Sequence, residues 1–96
     1  MKSAYIIKID PEKISQYGGI YQRVYFRDLE NPNINYILDV TNSCKQWKSY
    51  LEIGNYFTHL DVFKNQRTDK IHINGKATFI YEGKVVKQKS NVGFEI

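Results

Sequence analysis

An unbroken alternation of side chains over Ile20–Leu29 (IYQRVYFRDL) constrains the fold more than any other stretch of this chain. Successive side chains of a β-strand point to opposite faces of the sheet. One face of this strand would carry Ile20, Val24 and Phe26, which is enough apolar surface to sit on a core. The opposite face, called here the Tyr–Arg face, carries Tyr21, Arg23, Tyr25 and Arg27. The stretch therefore predicts a long strand with an apolar inner side and an aromatic, basic outer side.

The Tyr–Arg face has two interpretations. Rings at every second position, with guanidinium groups between them, suit unstacked bases and the phosphates beside them. Alternatively, the Tyr and Arg side chains pack on one another through cation–π contacts and shield the sheet from water. One strand alone does not decide between them, so the rest of the chain has to.

Composition favours one soluble domain over residues 1–96, with a small core. The 14 Lys and Arg exceed the 10 Asp and Glu and give a net charge of +4, a mild bias towards anionic partners. The single cysteine, Cys44, excludes an intrachain disulfide and a cysteine zinc site. The sequence lacks a secretory signal and any apolar run of membrane-spanning length, so we expect a cytoplasmic protein with no membrane partner.

The first half of the chain predicts three strands. Ser3–Asp10 alternates as a short strand, and Pro11 could open a single helical turn over residues 12–14. Tyr36–Thr41 alternates as well, and the turn ENPNIN joins it to the strand of Ile20–Leu29. We therefore expect these two strands to form an antiparallel hairpin.

The second half predicts one short helix and further strands. Cys44–Glu52 has an apolar stripe of about two turns. Tyr56–Phe63 reads as a strand whose core side would be Tyr56, Thr58, Leu60 and Val62. Lys70–Tyr81 reads as a hairpin with a type I′ turn at Asn74–Gly75, and Val85–Val86 could add a last short strand. Together these elements predict an all-β fold, a small five-stranded antiparallel barrel with one short helix.

The order of these elements resembles the OB-fold proteins of phages and mobile elements that bind single-stranded DNA. The similarity covers roughly residues 18–82. It rests on the strand VYFRDLEN, the strand YILDVTN, the W-x-x-x-L-x-x-G pattern of Trp47, Leu51 and Gly54, and the strand YFTHLDVF. In the usual OB plan the helix joins the third and fourth strands. Here it follows the hairpin of residues 20–41, so either Ser3–Asp10 counts as the first strand or the barrel is a variant.

The resemblance implies a non-catalytic protein that binds single-stranded DNA, or RNA, in replication or recombination. The size and composition are also similar to the small OB-like partners of family A DNA polymerases encoded on mobile elements. This similarity implies the alternative function, an adaptor that serves as an accessory subunit of a polymerase or primase complex or binds another replication protein.

The resemblance implies a nucleic-acid groove along the second and third strands and the loops at their ends. The candidate nucleic-acid-binding residues are the aromatic and basic residues that would fall on or beside it. They are Tyr21, Arg23, Tyr25, Arg27, Tyr36, Trp47, Lys48, Phe57, His59, Lys64 and Arg67. Trp47 has two interpretations, a plug of the barrel core or a stacking platform at its mouth. Phe57, His59 and Phe63 would lie opposite the core side of their strand and extend the binding face or form a protein interface.

Catalytic, metal and cofactor sites are not predicted. The sequence has no nucleophile-elbow serine and no phosphate-binding glycine loop. His59 and His72 stand apart from any cluster at metal-ligand spacing. Asp28 and Asp39 could approach each other across the hairpin, but a lone carboxylate pair is weak grounds for a metal site.

Overall fold

The computed structural model describes residues 2–84, which form eight β-strands and one short 3₁₀ helix. The strands are β1 (Lys2–Ile9), β2 (Lys13–Ile14), β3 (Ile20–Asp28), β4 (Asn35–Val40), β5 (Asn55–Leu60), β6 (Val62–Asn65), β7 (Lys70–Ile73) and β8 (Ile80–Lys84). The 3₁₀ helix spans Asn42–Tyr50, between β4 and β5. The predicted mainly β class is confirmed, whereas the predicted count of five strands is wrong.

The sheet is strongly curled and barrel-like. Seven strands follow the order β6-β7-β4-β3-β1-β5-β8, and β2 pairs with the start of β3. All strand pairs are antiparallel except β4 with β7, which is parallel. β5 and β6 are far apart in this order, yet only Asp61 separates them in sequence. The sheet must therefore curl for the chain to pass directly from β5 to β6, and a positive φ of 61° at His59 marks the bend.

The β3–β4 hairpin confirms the element predicted from the alternation. Phe26 lies opposite Tyr36, Val24 opposite Leu38, and the turn between the strands begins at Asp28. The Asp28 carboxylate organises this turn by accepting hydrogen bonds from the backbone N–H groups of residues 30 and 31, at 2.8 and 2.9 Å. Such local bonds from Asp to the following backbone are typical of tight turns.

The core lies inside the curl and is aromatic at its centre. Val24 and Phe26 point into it as predicted, whereas Ile20, the first residue of β3, is 50% exposed. Trp47 is fully buried, stacks on Phe79 at 3.8 Å between ring centroids, and meets Phe26 edge-on at 5.9 Å. Its indole N–H donates to the carbonyl of residue 75 at 3.1 Å, so its polar atom is satisfied.

The helix is 3₁₀ and begins two residues before the predicted start. Thr41 caps it by accepting a hydrogen bond from the N–H of Ser43 at 3.3 Å. The helix is kinked at Cys44, whose φ of −132° and ψ of 38° are not helical. Cys44 and Trp47 belong to the core, and Tyr50 packs against it.

Three local predictions are wrong. Residues 13–14 form the short strand β2 and not a helical turn, because they pair with the start of β3. In β5 Leu60 points inward as predicted, but Phe57 takes the place of the predicted Tyr56 and Thr58, since the bend at His59 shifts the alternation by one residue. β7 and β8 do not form a hairpin, because β7 pairs with β4 and β6 while β8 pairs with β5.

The turn at Asn74–Gly75 also differs from the type I′ prediction, because neither residue has the positive φ that this turn requires. The hairpin in this region is β6–β7, joined by the polar loop of residues 66–69. The strand proposed at Val85–Val86 lies outside the described residues. Within residues 2–84, no helix has the length and apolar character needed to cross a membrane.

Candidate functional site

A groove of about 850 Å³ opens on the outer side of the β3–β4 hairpin, beside the start of β3 and the end of β4. One wall is the loop between β2 and β3, and the floor is the outer face of the two strands. Arg67 closes the opposite side from the β6–β7 loop. The residues around the opening are Ile14, Ser15, Gln16, Tyr17, Gly19, Ile20, Tyr21, Arg23, Asp39, Thr41, Asn42, Ser43 and Arg67.

An ion pair forms the floor of this groove. Arg23 and Asp39 are directly opposite in the β3–β4 register, and two parallel bonds of 2.8 and 3.1 Å join them. The hydrogen bond to Asp39 raises the pKa of Arg23 above its ordinary value, although burial of the guanidinium acts to lower it. Asp39 therefore holds the Arg23 guanidinium in one orientation and offsets its positive charge. The planar guanidinium can lie against a ring.

Tyr25 contacts Lys8 of β1 and Asp10, the residue that follows β1. The ammonium group of Lys8 lies 5.2 Å from the centre of its ring, and its hydroxyl donates to Asp10 at 3.1 Å. Lys8 and Asp10 also pair with each other at 3.7 Å. The cation over the Tyr25 ring is therefore Lys8 and not an arginine of the Tyr–Arg face, as the second interpretation had it.

The loop before β3 presents an aromatic side chain that the sequence analysis missed. Tyr17 is 89% exposed at the loop tip. The hydroxyl of Ser15 accepts bonds from the N–H groups of Tyr17 and Gly19, at 3.3 and 3.2 Å, and Gly18 adopts a φ of 87° to complete the turn. The available signal was a tyrosine directly before two glycines, a position that favours an exposed loop tip.

Arg67 reaches the groove from a compact loop. The side-chain oxygen of Asn65 accepts bonds from the N–H groups of Arg67 and Thr68, at 2.9 and 3.2 Å, and Asp69 has a positive φ of 60°. Lys64 pairs with Asp69 at 2.9 Å across the base of the loop. Among residues 2–84, Arg67 has no acidic partner within 4 Å, so its charge is available at the groove.

Three predicted site residues are buried and cannot stack on a ligand. Tyr36 is 1% exposed, while Trp47 and Phe57 have no exposed surface. Tyr36 donates its hydroxyl to the carboxylate of Asp28, and burial together with this bond raises its pKa. Trp47 thus has the placement of the core plug, the first of its two interpretations.

The remaining predicted residues divide between the groove and other surfaces. Tyr21 and Arg23 line the groove together with Arg67, whereas Arg27 is half-buried farther along β3, with its Nε buried and lacking a partner among the described residues. Lys48 is exposed and pairs with Glu12 at 3.6 Å. The lining of the groove does not include Lys48, Lys64 or His59.

Within residues 2–84, no group of three or more His, Cys, Asp or Glu side chains could hold a metal ion. Asp28 and Asp39 sit towards opposite ends of the hairpin, because Asp39 pairs with Arg23 near the start of β3 while Asp28 ends that strand.

No protein-family model, curated protein or solved structure matches this chain.

Proposed function

We propose that this protein binds single-stranded nucleic acid, DNA in the first instance, as a non-catalytic component of replication or recombination. The observation that carries the proposal is the composition of the groove. The exposed ring of Tyr17 and the half-exposed ring of Tyr21 stand on one side, and the guanidinium of Arg67, which has no acidic partner among residues 2–84, stands on the other. Rings bind unstacked bases and a neighbouring cation binds the backbone phosphate, without reading sequence.

The fold supports this assignment through an inferred OB-type plan. If β5 and β6 are one bent strand, and the short β2 and peripheral β8 are set aside, five strands remain. The helix then joins the third and fourth of them, as in the OB plan. The groove lies between the loop before the second strand and the loop between the fourth and fifth, which are the two loops that border ligands in OB folds.

The charge pattern explains the expected strength of binding. Tyr17 and Tyr21 could each stack one base, at about 1–3 kcal/mol per base. Arg67 provides one free cation, while Asp39 offsets much of the charge of Arg23. We therefore expect modest affinity that depends on salt, with a shallow slope of about one or two phosphate contacts.

Fluorescence anisotropy with labelled oligo-dT across a salt series tests the proposal. Tyr21→Ala should weaken binding roughly 5- to 150-fold at fixed salt, the loss of one stacked base. Arg67→Ala should also reduce the salt slope by about 0.7. Lys2→Ala removes a cation from the far end of β1 and is the matched control. Failure of the wild-type protein to bind at low salt would contradict the proposal.

A second candidate is the adaptor function, favoured by an apolar surface at the groove entrance. Ile14 is 75% exposed and lies opposite Ile20 in the β2–β3 pair, and Tyr17 is close by in the connecting loop. Adjacent exposed apolar side chains are typical of protein interfaces. A replication enzyme, such as a family A DNA polymerase encoded on a mobile element, would be the partner.

The double variant Ile14→Asp and Ile20→Asp separates this candidate from the first. It should abolish the tightening of oligo-dT binding that such a polymerase would cause. Because both positions also line the groove, the tightening is measured relative to the affinity of the same variant without polymerase. If the polymerase causes no tightening with the wild-type protein, the adaptor function is contradicted.

A further inference from the structure

A pair of stacked rings lies on the outer face of the sheet beyond the groove. Phe63 of β6 and His72 of β7 are directly opposite in the register, with ring centroids 5.9 Å apart and planes 27° from parallel. His72 is 9% exposed, whereas Phe63 is 50% exposed. The imidazole therefore supports one side of Phe63 from below and leaves much of the phenyl ring open to solvent.

This ring pair borders a depression that continues from the groove. The depression, about 380 Å³, shares Asp39, Thr41 and Ser43 with the groove wall. Strand register explains the continuity. Asp39 lies opposite Arg23 on β3, while Ile37, two residues earlier on β4, lies beside His72 on β7. A row of outward side chains thus crosses β3, β4, β7 and β6 in order.

A cation stands at the rim of the same depression. Lys76 is exposed and lines it, and within residues 2–84 it has no acidic partner within 4 Å. The side-chain oxygen of Asn74 accepts the N–H of Lys76 at 3.1 Å and fixes the local backbone. An open ring with a free cation beside it has the two groups that a nucleotide needs, a stacking surface and a phosphate partner.

We propose that Phe63, supported by His72, is a second base-stacking subsite, which takes one nucleotide of a single strand with its phosphate at Lys76. The inference rests on the proposed function and extends it. A bound strand enters at Tyr21, passes Thr41 and Ser43, and ends on Phe63. It therefore crosses the β-strands and does not follow β3 towards Arg27.

The test compares oligo-dT of about 4 and about 12 nucleotides, the range of site sizes for one such domain. Phe63→Ala should weaken binding of the longer oligonucleotide roughly 5- to 150-fold and that of the shorter one much less, because the short strand can occupy the Tyr21 end alone. Phe63→Trp should keep the affinity for the longer strand. Ile80→Ala, which truncates a 46% exposed side chain on β8, is the control.

The outcomes distinguish a failure of the Phe63 subsite from a failure of the proposed function. If Phe63→Ala leaves long-strand affinity unchanged while Tyr21→Ala lowers it, the subsite is overturned and the groove stands. An equal loss of affinity for the short and the long oligonucleotide also overturns the subsite, because a subsite at Phe63 should affect only a strand long enough to extend from Tyr21 to Phe63. If the wild-type protein binds neither oligonucleotide, both proposals fail. Thermal unfolding of each variant verifies that a lost affinity is not lost folding.

Discussion

Arg23 and Asp39 face each other across the β3–β4 hairpin, joined by two hydrogen bonds of 2.8 and 3.1 Å. A carboxylate on the floor of a groove proposed for a polyanion opposes binding, so this pair sets both the orientation of Arg23 and an upper limit on affinity. It also makes Arg23 a poor phosphate ligand until Asp39 is removed or displaced.

Replacement of Asp39 by Asn should therefore strengthen binding. The amide keeps the shape of the carboxylate but releases the charge of Arg23, so we expect tighter binding of oligo-dT and a salt slope steeper by about 0.7, one more phosphate contact. Stability should fall by less than about 1 kcal/mol, as for a half-exposed ion pair. Glu30→Gln makes the same charge change at the far turn and should leave the slope unaltered. A weaker-binding Asp39→Asn variant would contradict this role of the pair.

The pair of Asp28 and Tyr36 should make stability depend on pH. Burial alone would raise the pKa of Asp28, but the bonds from Tyr36 and from the turn backbone outweigh it and lower the pKa from 3.8. A carboxylate whose pKa is lower in the folded state stabilises the protein at pH values above its unfolded-state pKa. This stabilisation is lost as the pH falls through the folded-state pKa. Asp28→Asn should cost about 1–3 kcal/mol in urea unfolding at about pH 7, and less at about pH 3, which lies below the ordinary pKa of the carboxyl group.

A contradiction would be an equal cost of Asp28→Asn at both pH values. Tyr36→Phe is the partner variant. Tyr36→Phe removes one donor to Asp28 but leaves the two bonds from the backbone. It should therefore lower the free energy of unfolding at about pH 7 by less than Asp28→Asn does.

Gly75 should be required for close packing and not for backbone conformation. A Cβ atom built on it would lie 3.0 Å from Leu38 and 3.1 Å from the sulfur of Cys44, which is too close without movement of buried side chains. Gly75→Ala should therefore lower the free energy of unfolding by about 1–3 kcal/mol. Gly19→Ala, whose nearest contact would be 3.7 Å, is the control and should change stability little. Equal stability of the two variants would refute the packing argument.

The fluorescence of Trp47, the only tryptophan, should report burial and not ligand contact. The ring is enclosed by Phe26, Phe57 and Phe79, so its emission should be blue-shifted and should remain unchanged when oligo-dT saturates the protein. Strong quenching on addition of oligo-dT, with unfolding excluded by circular dichroism, would instead favour the stacking-platform interpretation.

Sequence alone predicted the hairpin because both its strands alternate and one face is needed for the core. The alternation also placed Val24 and Phe26 inside. It failed before His59, where Phe57 points inward in place of the predicted Tyr56 and Thr58, because the single residue of positive φ at His59 shifts the alternation relative to Leu60 and no glycine marks it. It also failed at Asn74–Gly75, where the glycine serves close packing against Leu38, a contact made only in the folded chain.

The candidate site was predictable only in part. The strand pattern singled out Tyr21 and Arg23, and the polar loop singled out Arg67; all three line the groove. Aromatic type alone could not tell a stacking ring from a core ring, so Tyr36, Trp47 and Phe57 were included although they are buried. Their burial depends on the curl of the sheet and on the 3₁₀ helix, which are long-range features.

The most direct measurement is a two-dimensional NMR titration of isotope-labelled protein with oligo-dT. We expect the backbone signals of the groove to shift, namely those of residues 14–23, residues 39–43 and the loop around Arg67. With the longer strand, signals of Phe63 and His72 should shift as well. Shifts confined to β8 and the outer face of β5, with the groove signals unmoved, would contradict the central claim.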